Sequence, residues 1–231
     1  MSRKKVYIVS GAGLSAESGI KTFRDSDGLW ENYSIEEVCS TTGWLRNRQK
    51  VTNFYNDRRA DLENKEPNYA HKRLAELKAK YPQNIFILTQ NVDNMLEKAG
   101  CKGVIHLHGT LTDLRCERCK FVFPIGYKRQ GYSVCPKCNS ESVRHNVVMF
   151  GEPASAYEHL RKLYNEADMI VVIGTSGHVI DTAYMAQLVD YSILNNLDID
   201  ENHDQYFTKK FYLPATEAID DIFNLVDEYL A

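Results

Sequence analysis

Short runs of aliphatic and β-branched residues recur along the chain, and each run ends in small or polar residues. The runs are KVYIVSGAG (5–13), NIFILTQN (84–91), GVIHLHG (103–109), MIVVIGTSG (169–177) and YSILNNLD (191–198). Such runs, separated by helical patterns, are typical of strands buried in a parallel sheet. Because the carboxyl ends of parallel strands meet at one edge, we expect the polar residues to line a shared crevice there.

A helix is predicted between the first two of these runs. In the segment EPNYAHKRLAELKAKYP, Ala70, Leu74 and Leu77 fall on one apolar stripe at helical spacing. Pro67 stands near the first turn, where a missing N–H is tolerated, and Pro82 closes the helix.

Two regions interrupt the alternation of strands and helices, and we assign both to a second, smaller domain. Its helical part is 31–81, and its cysteine-bearing part is 113–144. The remaining segments, 1–30, 82–112 and 145–231, are predicted to form a larger α/β domain built on the parallel sheet.

Composition narrows the possible functions. The chain has 231 residues, 43% hydrophobic and 26% charged, which is enough to bury a sizeable core. A net charge of −3 shows no basic excess, so no direct nucleic-acid partner is expected. The first apolar run, VYIV, is shorter than a secretory core of about 7 to 15 residues, and no run approaches the roughly 20 that span a bilayer. We expect a cytoplasmic protein that does not bind membranes.

Four of the six cysteines form two close pairs, CERC with Cys116 and Cys119 and CPKC with Cys135 and Cys138. This spacing is typical of a four-thiolate zinc site, in which the metal replaces the core that a small lobe cannot build. Two disulfides are the alternative, which a reducing compartment disfavours. Four thiolates leave no open coordination position, so we predict one structural zinc ion that does no chemistry.

The first strand runs into a glycine-rich turn, GAGLSA (11–16). Such glycines let the backbone approach phosphate groups, and N–H groups of the following helix face their charge, although a plain turn is the alternative. A dehydrogenase should carry an acidic residue at the end of a second strand about 20 positions later. The sequence there is FRDSDGLWENY, which has no strand pattern and disfavours hydride transfer.

The segment GIKTFRDSDGLW (19–30) is too rich in Gly and Asp to predict regular structure. Above a dinucleotide site it would be a candidate lid, in which Arg24 contacts phosphate and Phe23 shields the reacting end. A plain connecting loop is the alternative.

Later strand ends offer groups for acid–base chemistry. Gln90, Asn91 and Asp93 follow one strand, and His106 and His108 lie near the end of the next. Imidazole is the side chain most easily poised to take a proton near neutral pH. Two alternate histidines on one strand share a face, so periodicity does not choose between them.

Together these motifs resemble the sirtuins, which are NAD-dependent protein-lysine deacylases. The segments GAGLSAESGIKTFR, TQNVD, HLHG, the two CxxC pairs, VVMFGE, IGTSG and NNLD occur in the family's order and at its approximate spacings, over essentially the whole chain. The resemblance implies a Rossmann-like NAD-binding domain, a smaller zinc-bearing domain, and a cleft where NAD meets an acyl-lysine protein or peptide.

The resemblance also implies roles for individual residues. It makes His108 the general base and Asn91 a second catalytic residue, while Val148 and Phe150 line an apolar tunnel for the lysine stem, whose peptide pairs as an added strand. The implied NAD-binding residues are Gly11, Ala12, Gly13, Ser15, Glu17, Thr22, Phe23, Arg24, Trp30, Gln90, Asn91, Asp93, His108, Gly174, Thr175, Ser176, Asn196 and Ala215.

The implied reaction needs no general acid, because nicotinamide leaves the ribose as a neutral molecule. The acyl oxygen captures the sugar carbon, and His108 removes a proton from a ribose hydroxyl, which then attacks the acyl carbon. The products are nicotinamide, O-acyl-ADP-ribose and lysine. Orientation and exclusion of water would be the protein's main contribution.

The polar segment NFYNDRR (53–59) suggests an acyl preference. In the class III branch of the sirtuins, a Tyr-x-x-Arg pair binds an acyl group that carries its own carboxylate, and Tyr55 and Arg58 match this pair. The resemblance therefore implies removal of succinyl and malonyl groups, with acetyl also accepted. Arg59 shares a helical face with Tyr55 as well and is the competing candidate.

Three alternatives stay open from the sequence. The first is a plain deacetylase without acidic-acyl preference. The second is an NAD hydrolase or ADP-ribosyltransferase on the same fold, which would use the same cofactor pocket. A zinc-ribbon module that binds nucleic acid is a more remote third, because it would leave the polar strand ends and the acidic balance unexplained.

Overall fold

The computed structural model describes residues 3–21, the backbone of 29–30, and residues 33–231. The strands in chain order are β1 (Val6–Ser10), β2 (Leu29–Trp30), β3 (Tyr33–Ser34), β4 (Ile85–Thr89), β5 (Ile105–His106), β6 (Gly109–Cys116), β7 (Val122–Pro124), β8 (Val143–Val147), β9 (Met169–Ile173), β10 (Tyr191–Asn195) and β11 (Lys209–Phe211). The helices are α1 (Gly13–Ala16), α2 (Ile35–Val38), α3 (Thr41–Arg46), α4 (Arg48–Glu63), α5 (Tyr69–Lys80), α6 (Met95–Lys98), α7 (Glu158–Glu166), α8 (Thr182–Ala186), α9 (Glu201–Asp204) and α10 (Ala215–Leu230), with a 3-10 turn at Ser155–Tyr157.

Six strands form one sheet in the order β11-β10-β9-β1-β4-β5, and every neighbouring pair is parallel. The predicted α/β fold with a Rossmann-like parallel sheet is confirmed. The edge strand β11 was not predicted, because Lys209 and Lys210 are exposed and the strand lacks an apolar run. The strand predicted over 103–109 is shorter than expected, since β5 ends at His106.

The sheet is covered on both faces, as the continuous apolar runs require. In β1, Val6 and Ile8 pack into a cluster with side chains of α5 and α10. The alternate residues, Tyr7 and Val9, pack into a second cluster with side chains of α7 and α8. Each fully buried aliphatic side chain stabilises the fold by about 1.5 to 3 kcal/mol, so this alternation anchors the central strand from both sides.

The predicted amphipathic helix is α5, and its start is fixed by a capping box. The Asn68 side chain accepts from the N–H of His71 at 3.2 Å, and His71 Nδ1 accepts from the N–H of Asn68 at 3.3 Å. Pro67 lies just before this cap, and Pro82 follows the end of the helix at Lys80. The side chains of the box thereby pair with backbone N–H groups at the start of the helix, and the N–H of Asn68 also donates to Ser18 Oγ at 3.1 Å.

A second sheet, in the order β7-β6-β8, is antiparallel and carries the cysteine pairs. Strand β6 crosses the predicted domain boundary at 112/113, and β8 crosses the boundary at 144/145. The sheet therefore joins the residues on both sides of each boundary, and the division into two domains stays a prediction. The short antiparallel pair of β2 and β3 gives regular structure at the end of segment 19–30, where the sequence had indicated none.

Two glycine-containing turns are in direct backbone contact where β1 and β9 end. The N–H of Gly13 donates to the carbonyl of Gly174 at 2.9 Å. A Cβ atom added to Gly13 would lie 2.6 Å from the Cα of Gly174, which itself has a φ of +65°. No side chain fits between these turns, so the glycines are required by the packing of the two turns as well as by any ligand.

None of the helices within the described part of the chain is long and apolar enough to cross a membrane.

We predict that Gly13→Ala destabilises the protein by about 1 to 3 kcal/mol, because the new methyl group meets backbone atoms that cannot turn aside. Urea unfolding at equilibrium measures the change. Gly131→Ala is the matched control, since a Cβ there meets no atom within 4 Å. Equal stability of the two variants would contradict the close contact of the turns.

Candidate active site

Polar residues at the ends of neighbouring strands are joined around Thr175. The Gln90 side chain, which follows β4, donates to Thr175 Oγ1 at 3.0 Å. The Asn196 side chain, which follows β10, donates to the carbonyl of Thr175 at 2.8 Å. The strand ends therefore form the shared rim that parallel pairing predicts.

Ser15, at the glycine-rich turn, links three elements of the site. Its hydroxyl lies 3.1 Å from Asn91 Nδ2 and 3.3 Å from His71 Nε2, and Ser15 is fully buried. Because His71 Nδ1 accepts the N–H of Asn68, its Nε2 carries the proton and donates to Ser15. Burial lowers the pKa of His71 to about 4, so this imidazole is neutral at pH 7. His71 was not predicted as a site residue, because its only sequence signal is its position three residues after the cap.

The two histidines near the end of the predicted strand have different environments. His106 Nδ1 lies 2.8 Å from the carbonyl of Asn91, and its Nε2 lies 2.9 Å from Glu97 Oε1. Burial alone would lower the pKa of His106, but the Glu97 carboxylate outweighs it and the pKa is raised. Both ring nitrogens of His106 face acceptors, a carbonyl and a carboxylate, which favours the doubly protonated ring and leaves no lone pair available.

His108 has no carboxylate among the described residues that contact its ring. Its Nδ1 lies 3.1 Å from the carbonyl of Gln90, and its Nε2 lies 2.9 Å from the hydroxyl of Tyr157. A carbonyl only accepts, so Nδ1 carries the proton and the lone pair is on Nε2. Burial lowers the pKa of His108, which keeps this lone pair available at neutral pH.

Asp93 and Glu17 are both engaged within the protein. Asp93 is buried, and desolvation raises the pKa of its carboxyl group while the N–H of Met95 donates to it at 3.1 Å. The Glu17 carboxylate accepts the N–H of Thr216 at 3.0 Å, in the first turn of α10 beside Ala215. Glu17 therefore fixes the start of α10 against the glycine-rich turn.

Some of the implied NAD-binding residues are described only by their position and burial. Gly11 is buried, and Ala12 and Ser176 are half-buried on the two loops that follow β1 and β9. Thr22, Phe23, Arg24 and the side chain of Trp30 lie outside the described residues.

Tyr55 and Arg58 lie one turn apart on α4. Tyr55 is 1% exposed, its ring stacks on His145 with centroids 3.8 Å apart, and its hydroxyl donates to Cys39 Sγ at 3.6 Å. Burial raises the pKa of Tyr55 well above its usual value, so the phenol stays a donor. Arg58 is half-buried, and its guanidinium lies 5.5 Å from the ring centroid of Phe54.

The competing candidate, Arg59, is fully buried and donates hydrogen bonds to α4 and β6. Its Nε donates to the carbonyl of Leu111 at 2.6 Å, and its Nη1 donates to Asn56 Oδ1 at 2.8 Å. Burial lowers the pKa of Arg59 to about 10, which still leaves it charged at pH 7. The bond to Leu111 ties α4 to β6, whereas Arg59 Nη2 is buried without a hydrogen-bond partner among the described residues.

The segment VVMFGE (147–152) is bonded to His108 on one side and to Cys39, after α2, on the other. The N–H of Val148 donates to the carbonyl of His108 at 2.9 Å, and the N–H of Phe150 donates to the carbonyl of Cys39 at 2.8 Å. Val148 is half-buried, and Phe150 is 50% exposed. Both side chains belong to a backbone segment that is fixed at each end.

Glu152 holds the turn that follows this segment, a role that the sequence analysis missed. Its carboxylate accepts the N–H of Met149 at 2.7 Å and two bonds from Arg144 Nη2 at 2.6 and 2.7 Å. Arg115 Nη2 adds a further bond at 2.7 Å. Arg144 Nη1 also donates to the carbonyl of Val147 at 2.9 Å. One guanidinium therefore contacts Val147 before the turn and Glu152 after it.

The sulfur atoms of Cys116, Cys119, Cys135 and Cys138 all lie within 4.8 Å of one another. Two of the S–S distances are 3.6 Å, far longer than a disulfide bond. A tetrahedral zinc with Zn–S bonds of about 2.3 Å would separate its ligands by about 3.8 Å. The thiolates are therefore positioned to bind a structural zinc ion, as predicted.

The backbone of the two cysteine pairs supports this fit. Lys120 and Asn139, each directly after the second cysteine of a pair, have φ values of +61° and +56°. Their N–H groups donate to the carbonyls of Cys116 and Cys135 at 3.0 and 2.9 Å. Each pair thus forms the same tight turn, which turns both sulfur atoms toward a common centre.

The comparisons with known proteins agree with this geometry. A family model described as "Sir2 family" matches residues 11–181. An "NAD-dependent protein deacylase" of Campylobacter jejuni is 48% identical over 227 residues, which cover 98% of this chain and 97% of that protein. The chain therefore belongs to the Sir2 family, the sirtuins.

Solved structures show the same fold. A Sir2 homologue in complex with NAD has a TM-score of 0.83 at 34% identity, covering 99% of this chain and 91% of that one. A mutant Sir2 homologue in complex with 2′-O-acetyl ADP ribose has a TM-score of 0.82 at 33% identity, covering 99% of this chain and 94% of that one.

We predict that the purified protein carries about one zinc ion per chain and that Cys135→Ser removes it, because three thiolates no longer fill the tetrahedral site. The loss should also destabilise the antiparallel sheet, because the four ligands make up half of its small core. Elemental analysis and thermal unfolding measure the two effects. Cys101→Ser, which alters a buried cysteine outside the cluster, should keep the metal. Full zinc content in the Cys135 variant would contradict the assignment.

Proposed function

We propose that this protein removes succinyl and malonyl groups, and also acetyl groups, from lysine side chains of proteins. The coarser activity, NAD-dependent protein deacylation, is supported by its membership of the Sir2 family and by its relatives. The observation that carries the proposal is the neutral imidazole of His108, with its lone pair on Nε2, at the rim where the strand ends meet. The products would be nicotinamide, O-acyl-ADP-ribose and lysine.

The residues around the crevice fit a bound dinucleotide. The contact between Gly13 and Gly174 leaves backbone surface without side chains at the rim, which phosphate groups can approach. We assign the NAD site to these turns, to Gln90, Asn91 and Asp93 on the β4 side, and to Asn196 on the β10 side. When bound, NAD supplies a sugar carbon from which nicotinamide departs as a neutral leaving group.

His108 would act as the general base. Its Nε2 lone pair can take the proton of a ribose hydroxyl, while Nδ1–H stays bonded to the carbonyl of Gln90 and fixes the ring. Asn91, whose amide nitrogen is bonded to Ser15, would orient the sugar beside it. The base therefore depends on groups that are already held in place by burial and hydrogen bonds.

The acyl-lysine stem would pass the segment that carries Val148 and Phe150. The bond from Val148 N–H to the carbonyl of His108 places this segment next to the base. An extended peptide could add to the segment as a strand, with the half-buried Val148 providing apolar contact for the lysine methylenes.

Tyr55 and Arg58 would bind the carboxylate of an acidic acyl group. Both belong to α4, and Tyr55 packs in the same cluster as Val147 and Met149 of the VVMFGE segment. A thiol is a weak acceptor, so the Tyr55 hydroxyl would gain by exchanging Cys39 for a carboxylate. Arg58 would supply charge-assisted bonds, whereas two of the Arg59 donors, Nε and Nη1, are already directed to Leu111 and Asn56.

We predict that Arg58→Met lowers kcat/KM for succinyl- and malonyl-lysine peptides roughly 10- to 100-fold, because a hydrogen bond to a charged group contributes about 1.5 to 3 kcal/mol. Turnover of the matched acetyl peptide should change little. Mass spectrometry of the three peptides, incubated with NAD, follows all reactions in one assay. Arg48→Met is the control, since Arg48 begins the same helix but pairs with Glu117.

The same assay separates the alternatives. Equal losses for acetyl and succinyl peptides in the Arg58 variant would reject the acidic-acyl site and leave a plain deacetylase. Nicotinamide release without any loss of acyl group would indicate NAD hydrolysis or ADP-ribosyl transfer. His108→Tyr should abolish turnover of every peptide, and an active His108 variant would reject the base.

We predict that kcat/KM falls on the acid side with an apparent pKa below 6.5. Protonation removes the Nε2 lone pair, and because burial lowers the pKa of His108 from 6.5, activity is retained through neutral pH and lost only as the pH falls below that value. A pH profile between about pH 5 and about pH 8 measures this limb. An acid limb centred above 6.5 would contradict the environment described for His108.

The expected cytoplasmic location and the absence of direct nucleic-acid or membrane binding stay predictions. Cell fractionation and retention on DNA at moderate salt would test them.

A further inference from the structure

Tyr157 contacts the lone-pair nitrogen of the proposed base. Its hydroxyl oxygen lies 2.9 Å from His108 Nε2, and the two ring centroids are 5.9 Å apart. Tyr157 lies outside every motif discussed above, at the end of the 3-10 turn that follows the VVMFGE segment. The bond therefore joins the site to an element that the sequence did not connect with it.

The phenol is fixed in this position by its surroundings. The N–H of Tyr157 donates to the carbonyl of Ala154 at 3.0 Å, and its ring packs against the buried cluster that contains Leu160 and Leu163 of α7. Burial also raises the pKa of Tyr157, so the hydroxyl keeps its proton at neutral pH. The side chain is a neutral donor held by packing.

The proton arrangement follows from the two partners of the imidazole. The carbonyl of Gln90 only accepts, so Nδ1 of His108 carries the ring proton. Nε2 is then an acceptor, and the Tyr157 hydroxyl donates to it. This nitrogen is also the atom that would take a proton from a ribose hydroxyl, so both hydroxyl groups need the same lone pair.

We propose that Tyr157 is a positioning residue that occupies the place of the ribose hydroxyl on His108 before the dinucleotide binds. It holds the imidazole with Nδ1 protonated and Nε2 facing the sugar site. When the nucleotide binds, the hydrogen bond from Tyr157 to Nε2 breaks and a hydrogen bond from the ribose hydroxyl to Nε2 forms. Each hydroxyl group keeps its own proton in this exchange. The inference rests on the proposed function, because it takes the ribose hydroxyl as the base's substrate.

The exchange predicts a measurable competition. The net contribution of one neutral hydrogen bond changes a binding constant by about 2- to 10-fold. Removing the Tyr157 hydroxyl should therefore tighten binding of any ligand that must displace it. A residue needed only for folding would weaken binding instead.

Tyr157→Phe tests this with ADP-ribose as the probe in calorimetric titrations. We expect ADP-ribose to bind about 2- to 10-fold more tightly and the KM for NAD to fall by a similar factor, with kcat changing less than KM. Tyr164→Phe is the matched control, because Tyr164 is a half-buried tyrosine of the adjoining helix whose ring faces Tyr184. Unchanged or weaker binding in the Tyr157 variant would overturn the proposal.

A second measurement needs no turnover. In protein labelled with ¹⁵N-histidine, the Nε2 resonance of His108 should shift in the ligand-free Tyr157→Phe variant and stay in place in the Tyr164→Phe variant. Saturating ADP-ribose should bring the wild-type and Tyr157→Phe spectra together, since the ribose hydroxyl then contacts Nε2 in both. Identical ligand-free spectra, or a difference that persists with ADP-ribose, would reject the proposal. A protein that passes this measurement but turns over no acyl peptide would reject the proposed function alone.

Discussion

The backbone contact between the turns after β1 and β9 sets the geometry on which the site depends. The two strands are neighbours, with Ser10 paired to Ile173, so their turns leave the sheet side by side. Gly13 and Gly174 then approach more closely than any pair of residues with side chains could. The distance from the glycine-rich turn to Thr175, and so to Gln90 and Asn196, is fixed by this approach. A small displacement here would move Thr175 and, with it, the side chains of Gln90 and Asn196 that are bonded to it.

Burial then gives His106 and His108 different pKa values. Desolvation acts against the charged form of each imidazole, and the outcome depends on whether a carboxylate is in contact. Glu97 compensates for the burial of His106, which becomes an ion-pair partner, whereas His108 faces a carbonyl and a phenol and stays neutral. Two imidazoles only two residues apart therefore differ, because one is bonded to a carboxylate and the other keeps an Nε2 lone pair that accepts from a hydroxyl.

Sequence patterns predicted the features that depend on local spacing. The apolar runs predicted the parallel sheet, and the two CxxC pairs predicted the metal cluster, because each signal lies within a few consecutive residues. Contacts between distant segments could not be found in this way. Tyr157 meets His108, and His71 meets Ser15, across separations that no periodicity encodes. The choice between His106 and His108 likewise required either the family resemblance or the position of Glu97.

The two consecutive arginines of α4 show how one helix can supply two different electrostatic effects. Arg59 is fully buried, yet burial lowers its pKa only to about 10, so its positive charge is kept inside the lobe. Its Nε and Nη1 donate to Leu111 and Asn56, while Nη2 is buried without a hydrogen-bond partner among the described residues. Arg58, one residue earlier and half-buried, is the arginine that could bond directly to an acyl carboxylate. A buried charge is screened less than an exposed one, so Arg59 would add to the attraction between the proposed acyl site and an anionic acyl group.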